Sequence, residues 1–292
     1  MQKAAMILEG GANRGIFTAG VLDYLMEQEF YTEYVLGVSM GACNGIDYVS
    51  RQIGRSKECV MRQNKKEERL DLKGMWRKKS LFDMDRLFDD YANELIPFDY
   101  ETYFSSEMEF EAVVTNCLSG QAQYMMEKHD KKRLMEICRA SCSMPMVLPI
   151  VEVDNQPYLD GGIADSVPVK RALEKGYRKI IVILTRNKGY RKSTSKRTMR
   201  CYQFLMRKYP NLAKTMCLRA KHYNHTMEQI EKLEAEGKIF VIRPQIEAIK
   251  RLEHDQERLE AFYQDGYDTM KEMYDRLLEY MKEKNHKGEV DV

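Results

Sequence analysis

The sequence predicts an α/β fold of three layers, in which helices cover both faces of a mostly parallel central sheet, with a helical extension at the C-terminus. Two observations favour it. Short apolar, strand-like runs alternate with segments of helical periodicity over about the first 187 residues, and such alternation indicates parallel strands joined by helical crossovers. The first two apolar runs are each followed by a glycine-rich turn and then a helix.

The composition agrees with one large folded unit. The chain has 292 residues, 43% of them hydrophobic, which is enough to bury a substantial core. Its net charge of +2 indicates no particular partner. The seven cysteines show no metal-type spacing, so we expect free thiols in a reducing compartment. Because no apolar run reaches the length of a membrane span and no signal-peptide pattern is present, we expect a cytoplasmic protein.

The elements follow in order. We expect strands at residues 3–8 and 34–36, each followed by a helix, at residues 16–27 and 42–51. Helical character continues around residues 56–70 and 81–95, and Trp76 between them favours packing over ligand stacking. A hairpin is predicted from residues 110–115 and 121–126. Further helices are predicted at residues 131–142 and 167–175, and a buried strand at residues 179–184.

The last third of the chain differs in composition. We expect a strand at residues 238–242 and a long amphipathic helix at residues 255–284. The one composition shift that marks a candidate boundary lies near residues 186–200. We therefore predict a core of residues 1–187 and an extension of residues 188–292, which is mostly helical with one strand and packs on the core.

The strongest motif is the pentapeptide GVSMG at residues 37–41, between an apolar strand and a helix. A Gly-x-Ser-x-Gly in that context is the nucleophile elbow of serine hydrolases. Gly37 and Gly41 would be required because larger side chains collide in so sharp a turn. Ser39 is then a candidate nucleophile at a helix N-terminus, where the dipole favours an oxyanion. The alternative is an ordinary glycine-rich turn with a surface serine.

A second glycine-rich turn, EGGANRG at residues 9–15, follows the first strand. It does not fit the dinucleotide fingerprint, because Ala12 stands at the second glycine, nor the Walker pattern, because no Gly-Lys-Ser/Thr follows. Backbone N–H groups around Gly11 and Ala12 would instead suit an oxyanion hole. A plain strand-to-helix turn is the alternative.

The other candidate groups are less distinctive. The five histidines lie in charged helical or tail contexts, which argues against a histidine-based triad. His222 and His225 lack a recognisable third ligand, so we expect no metal site. Nothing supplies Cys43 with a base. Asp160, before two glycines at a strand end, would either point into a site or belong to an ordinary turn.

Residues 186–227 contain twelve Lys and Arg and no acidic residue, whereas the chain from residue 228 onward has 17 acidic and 11 basic residues. The basic stretch includes Tyr190, Tyr202, Phe204 and Tyr209. Nucleic acid or anionic lipid headgroups would be candidate partners. The other interpretation, which we favour, is a solvated loop and helix that pair with the acidic C-terminal part.

Four blocks, in this order and spacing, resemble the patatin-like phospholipase family: EGGANRG (9–15), GVSMG (37–41), ASCSMPMVLP (140–149) and DGG (160–162). The resemblance covers about residues 3–187, and the C-terminal third is similar to the extension of a bacterial subgroup. It implies a Ser–Asp dyad, with Ser39 as nucleophile and Asp160 as base. The implied oxyanion-hole segment consists of Gly10, Gly11, Ala12 and Arg14, and Arg14 would also help to fix that loop.

The chain departs from the family at two places. Ala12 stands at the third position of a glycine run that is often longer, and we expect only a small effect because the backbone N–H groups remain. The segment DSVP at residues 165–168 stands where asparagines are common, which would alter the support of the dyad loop. A carboxylate with a pKa of about 3.9 is a weak base, so burial or close contact with the serine must assist proton transfer.

The resemblance implies a serine acyl hydrolase that works through an acyl-enzyme without metal or organic cofactor. The expected substrate is a carboxylic ester of a lipid, phospholipid or lysophospholipid, and Met144, Met146, Val147 and Leu148 would line an acyl groove or pack in the core. An anionic membrane is a candidate peripheral partner, and nucleic acid is not expected. Two alternatives stay open: an acyltransferase or thioesterase of the same fold, and a non-enzymatic lipid-binding module that uses the basic stretch.

Overall fold

The computed structural model describes residues 1–64, 84 and 86–283. Trp76 lies outside the described residues, as do residues 65–70, 81–83 and 85 of two predicted helices and residue 284 of the last. No helix in these ranges is both long and apolar enough to span a membrane.

The eight strands of the described chain form a single mixed sheet. Five of them, in the order β3-β2-β1-β7-β8, run parallel, and β4, β5 and β6 add antiparallel pairs at the β3 side. The prediction of a mostly parallel sheet is therefore confirmed. The strands are β1 Gln2–Leu8, β2 Thr32–Val38, β3 Glu109–Asn116, β4 Ala122–Met125, β5 Val151–Val153, β6 Gln156–Asp160, β7 Ile180–Ile183 and β8 Phe240–Ile242.

Two strands, β2 and β6, pair one after the other with the same edge of β3. Val113 pairs in parallel with Val38, the last residue of β2, and the next residue, Val114, pairs with Asp160, the last residue of β6. The opposite edge of β3 is occupied by β4 over the same stretch. The ends of β2 and β6 therefore meet beside β3, although they are far apart in the sequence.

Helices cover both faces of the sheet, as predicted. Residues Arg86–Leu95 form a π-helical segment within the predicted helix 81–95. The α-helices are α1 Gly15–Glu27, α2 Met40–Val49, α3 Arg55–Gln63, α4 Tyr100–Ser105, α5 Lys131–Cys142, α6 Val169–Glu174, α7 Lys196–Leu205, α8 Pro210–Ala235 and α9 Gln256–Lys282.

Alternate residues of the buried strands supply two separate cores. Met6 of β1 and Ile181 of β7 lie in one core with α1 and α9, whereas Ile7 lies in the other with α6 and α8. Because successive strand side chains point to opposite faces, apolar runs without alternation mark strands that are buried on both sides. This arrangement is the three-layer α/β/α fold.

The C-terminal part of the chain completes the core. β8 pairs with β7, and α9 packs against α1. A Cβ at Gly20 of α1 would lie 2.1 Å from the Tyr263 carbonyl oxygen, and one at Gly266 of α9 would lie 2.1 Å from that of Phe17. The two helices thus approach each other through facing glycines. The boundary at residue 187 stays a prediction.

Candidate active site

Ser39 lies in a strained turn between β2 and α2. Its backbone has φ 56° and ψ −126°, a region that non-glycine residues rarely adopt. A Cβ at Gly37 would lie 2.5 Å from the Gly41 carbonyl oxygen, and a Cβ at Gly41 would lie 2.3 Å from that of Leu8. Both positions therefore accept glycine alone without movement of the backbone, in agreement with the predicted elbow.

The Ser39 hydroxyl donates a hydrogen bond of 2.7 Å to Asp160 Oδ2. The other carboxylate oxygen, Oδ1, accepts from the Gly162 N–H at 2.8 Å. The Thr115 hydroxyl donates to the Asp160 carbonyl oxygen at 2.9 Å. The carboxylate is thus held from both sides, and its free rotation is restricted. This position follows from the shared edge of β3.

A third side chain, Ser141 at the end of α5, contacts the backbone of Ser39. Its Oγ accepts from the Ser39 N–H at 2.9 Å and donates to the Val113 carbonyl oxygen at 2.7 Å. Ser141 is fully buried. Because the Ser39 N–H is occupied, an oxyanion must bind other donors. Sequence reasoning did not assign this role, although Ser141 belongs to the block 140–149.

The predicted oxyanion loop lies against Ser39. A Cβ at Gly10 would be 2.8 Å from Ser39 Cβ. In the described ranges, the N–H groups of Gly10, Gly11 and Ala12 donate to no protein acceptor. Ala12 has φ 49°, in the left-handed region that favours glycine. The loop thus offers unoccupied N–H donors beside the serine.

The Arg14 side chain lines the cavity in front of this loop. It is 4% exposed, and its Nε and Nη1 have no hydrogen-bond partner among residues 1–64, 84 and 86–283. Burial, reinforced by the nearby Arg186 charge, lowers the pKa of Arg14 to about 10. The expectation that this side chain fixes the loop stays a prediction, since Nε and Nη1 form no hydrogen bond with the described part of the chain.

A cavity of about 230 Å³ opens in front of Ser39 and Asp160. Met144, Met146 and Val147 form part of its wall, whereas Leu148 packs against the larger core. Within the described chain, no histidine lines this cavity. The geometry can therefore place an acyl chain near the serine, with Asp160 as the adjacent proton acceptor.

Other predicted groups lie away from the dyad or change its support. His222 and His225 are exposed, and no group of three potential metal ligands occurs among the described residues. The Cys43 Sγ lies 3.6 Å from the Cys142 Sγ. Asp165 accepts from the Tyr124 hydroxyl at 2.9 Å, so this substitution for the family's asparagine has a partner of its own.

The basic stretch has two parts. Arg191 forms an ion pair with Glu231 at 2.7 Å. This contact agrees with the interpretation that the basic stretch pairs with the acidic C-terminal part. Arg186, Lys192 and Arg219 instead line the cavity. Arg251, from the acidic C-terminal part, lines it as well. The sequence analysis did not predict that these four cations lie at the site. A count of charges along the chain does not show which of them meet in the folded protein.

Comparison with known proteins identifies similar sequences. A family profile described as Patatin-like phospholipase matches residues 6–173, and one described as a domain of unknown function, DUF6363, matches residues 209–282. The uncharacterized protein YjjU of Escherichia coli is 33% identical over 188 residues, which cover 63% of this chain and 52% of that protein. Lysophospholipase NTE1 of Cryptococcus neoformans is 27% identical over 194 residues, 62% of this chain and 11% of that protein.

The chain thus spans about half of the bacterial relative and a small part of the fungal one. Among solved structures, VipD from Legionella pneumophila has a TM-score of 0.51 and 14% identity, over 94% of this chain and 67% of that chain. This likeness concerns the fold alone. The family profile covers more than half of the present sequence and includes Ser39 and Asp160. The chain therefore belongs to the patatin-like phospholipase family.

Proposed function

We propose that this chain hydrolyses carboxylic esters of lipids with a Ser39–Asp160 dyad, through an acyl-enzyme. The observation that carries the proposal is the hydrogen bond of 2.7 Å from the Ser39 hydroxyl to Asp160 Oδ2, beside a loop with unoccupied N–H donors. A nucleophile within hydrogen-bond distance of a held base is the arrangement that acyl transfer requires. The family supplies the lipid substrate class.

In the first half-reaction, Ser39 Oγ attacks the ester carbonyl carbon while its proton passes to Asp160 Oδ2. The N–H groups of Gly10, Gly11 and Ala12 would bind the resulting oxyanion. When the intermediate collapses, the proton passes from Asp160 to the leaving alcohol, and the acyl group stays on Ser39. Water then attacks the acyl-enzyme and gives its proton to Asp160, and Ser39 is regenerated as the fatty acid leaves.

The test is hydrolysis of p-nitrophenyl esters of graded chain length by wild type, Ser39→Ala and Asp160→Asn. We expect either substitution to lower kcat by at least about a thousandfold, because each removes a member of one unit. Ser105→Ala and Asp268→Asn are matched controls on exposed helical positions, and both should retain wild-type rates. A fluorophosphonate probe should label wild type at Ser39.

Two results would contradict this proposal. Wild-type activity in folded Ser39→Ala would place the reaction elsewhere, and no turnover together with no probe labelling would favour a binding module. An added alcohol acceptor distinguishes the remaining alternative. If acyl transfer to the alcohol outpaces hydrolysis, the chain is an acyltransferase that uses the same nucleophile.

We also propose that the protein contacts anionic membranes through α7, which would bring the cavity to its substrate. This helix has no buried residue, and Phe204 is 67% and Leu205 48% exposed. Tyr202, on the same helix, lines the cavity. Exposed basic residues lie on this helix and directly after it: Lys196, Arg197, Arg200, Arg207 and Lys208. A basic amphipathic helix of this kind suits an anionic lipid surface.

Vesicle sedimentation tests this contact. Binding to vesicles with phosphatidylglycerol should exceed binding to pure phosphatidylcholine and should weaken as salt is added. Phe204→Ser with Leu205→Ser should reduce it, whereas Leu118→Ser, at an exposed turn 52% open to solvent, should not. Equal binding to neutral vesicles, or no effect of the α7 substitutions, would refute the contact.

A further inference from the structure

The cavity in front of Ser39 is lined by an unusual number of cations. Four segments of the chain supply them: the turn after β1, the segment after β7, α8, and the loop before α9. They face a cavity whose only lining carboxylates, in the described part of the chain, belong to Glu9 and Asp160. The cations are Arg14, Arg186, Lys192, Arg219 and Arg251.

These five cations are not neutralised by the protein. None forms an ion pair with a carboxylate among the described residues. Glu9 instead accepts hydrogen bonds from Thr185 and Tyr223. Five cations against two carboxylates leave the cavity a formal charge of +3. Cations that converge without carboxylate partners repel one another, so such a set indicates a site for an anion.

Burial and repulsion between like charges both lower pKa values among these cations. Arg14 is 4% exposed, and its Nε and Nη1 are unpartnered, as is Nε of Arg186. Burial lowers the pKa of Lys192 well below its ordinary value, and the Arg219 charge adds to this effect. Burial, followed by the Arg219 charge, also lowers the pKa of Arg251. A bound anion would offset both the cost of burial and the repulsion between the cations. It would also accept hydrogen bonds from the unpartnered N–H groups of Arg14 and Arg186.

We infer that these cations bind a phosphate dianion carried by the substrate, so that the preferred substrates are acyl esters of a phosphomonoester, such as acylated glycerol phosphates. The inference rests on the proposed function. In such a molecule only the glycerol carbons separate ester and phosphate, so both fit one small cavity. A terminal phosphate carries close to two negative charges at neutral pH, and arginine forks match its oxygens.

A phosphocholine headgroup suits this cavity less well. It adds a permanent positive charge to a site that already has an excess of cations. Of the two tyrosine rings that line the cavity in the described part of the chain, that of Tyr190 is already covered by a cation, because the Arg186 guanidinium lies 4.3 Å from its centre. The structure therefore favours phosphomonoesters over their choline diesters.

The test compares kcat/KM for three esters with the same acyl chain: 1-acylglycerol 3-phosphate, 1-acylglycerol and 1-acylglycerophosphocholine. Wild type should prefer the phosphomonoester about tenfold or more over each of the others. Arg251→Met should lower that preference by about tenfold, since a charge-assisted contact to phosphate is lost. Lys221→Met, an exposed position on α8 away from the cavity, is the matched control and should retain the preference.

Binding of inorganic phosphate gives a second readout, independent of turnover. Phosphate should raise the Tm of Ser39→Ala and of Lys221→Met but not of Arg251→Met, and it should compete with the phosphomonoester substrate. The Arg251→Met protein should be at least as stable as wild type without ligand, because a like charge has been removed. This comparison distinguishes a lost subsite from a misfolded variant.

The possible results distinguish a failure of the headgroup inference from a failure of the proposed hydrolase function. If the neutral ester is hydrolysed as well as the phosphomonoester, the headgroup inference is wrong while the hydrolase function stands. If phosphate raises the Tm without any preference among the esters, the cavity binds free phosphate and the inference is also wrong. If no ester is hydrolysed and Ser39 resists the fluorophosphonate probe, the proposed function fails and the inference fails with it.

Discussion

Gly41→Ala tests the close approach that forms the elbow. The added Cβ would lie 2.3 Å from the Leu8 carbonyl oxygen, 2.9 Å from the Leu8 carbonyl carbon and 3.1 Å from the Glu9 carbonyl oxygen. These neighbours are backbone atoms of β1 and of the turn after it, which cannot rotate away as a side chain would. An ordinary contact needs about 3.4 Å, so α2 and the end of β1 must separate by about 1 Å.

This separation of α2 from β1 lowers both the stability and the activity of Gly41→Ala, but to different extents. Forcing an extra methyl into a packed site costs about 1–3 kcal/mol, which lowers the Tm by about 2–10 °C for a chain of this length. The same shift moves Ser39 relative to Gly10 and Asp160. A misplacement of about 1 Å can cost about a hundredfold in rate. We therefore expect activity to fall much further than stability.

The assays are thermal unfolding and p-nitrophenyl ester hydrolysis. Gly176→Ala is the matched control, since Gly176 has φ +86° and no atom within 4 Å of its added Cβ. That substitution carries only the backbone penalty of about 1 kcal/mol and should leave the rate unchanged. If Gly41→Ala keeps both the Tm and the rate of wild type, the argument from close approach is refuted.

Three further predictions concern single groups. Burial raises the pKa of Asp23 to about 6; the folded state therefore binds a proton more tightly than the unfolded state, and stability falls as pH rises from about 4 to about 6. Asp23→Asn lacks this titration, so its stability relative to wild type should rise by about 1–3 kcal/mol between pH 4 and neutral pH. Ser141→Ala leaves the Ser39 N–H and the Val113 carbonyl oxygen without their partner, which should cost about 1–3 kcal/mol in denaturant unfolding and lower kcat. Ala12→Gly relieves a φ of 49° and should change stability by less than about 1 kcal/mol, at wild-type activity.

Each of these has a clear contrary result. A pH-independent difference between Asp23→Asn and wild type would show that the Asp23 carboxylate does not titrate near pH 6 in the folded protein. If Ser141→Ala is as stable as wild type, water replaces the two hydrogen bonds of the Ser141 hydroxyl. A large loss of rate in Ala12→Gly would show that the alanine methyl, and not only the N–H groups, shapes the oxyanion loop.

The sequence alone determined most strands, most helices and the family, because these depend on local patterns. Apolar runs without alternation predicted strands buried on both faces, and the glycines at 10, 37 and 41 marked turns where no side chain fits. The long helix predicted at residues 255–284 is α9, Gln256–Lys282, within the described residues.

Only the tertiary structure decided how the site is supported and charged. Asp160 meets Ser39 because β2 and β6 pair in succession with one edge of β3, a register that no local pattern encodes. Ser141 fills its role for the same reason, through contacts with residues 39 and 113. The cations at positions 186, 192, 219 and 251 converge on one cavity from separate segments. Charge along a chain can be read from its sequence, but the distance between charges depends on the packing of the whole fold.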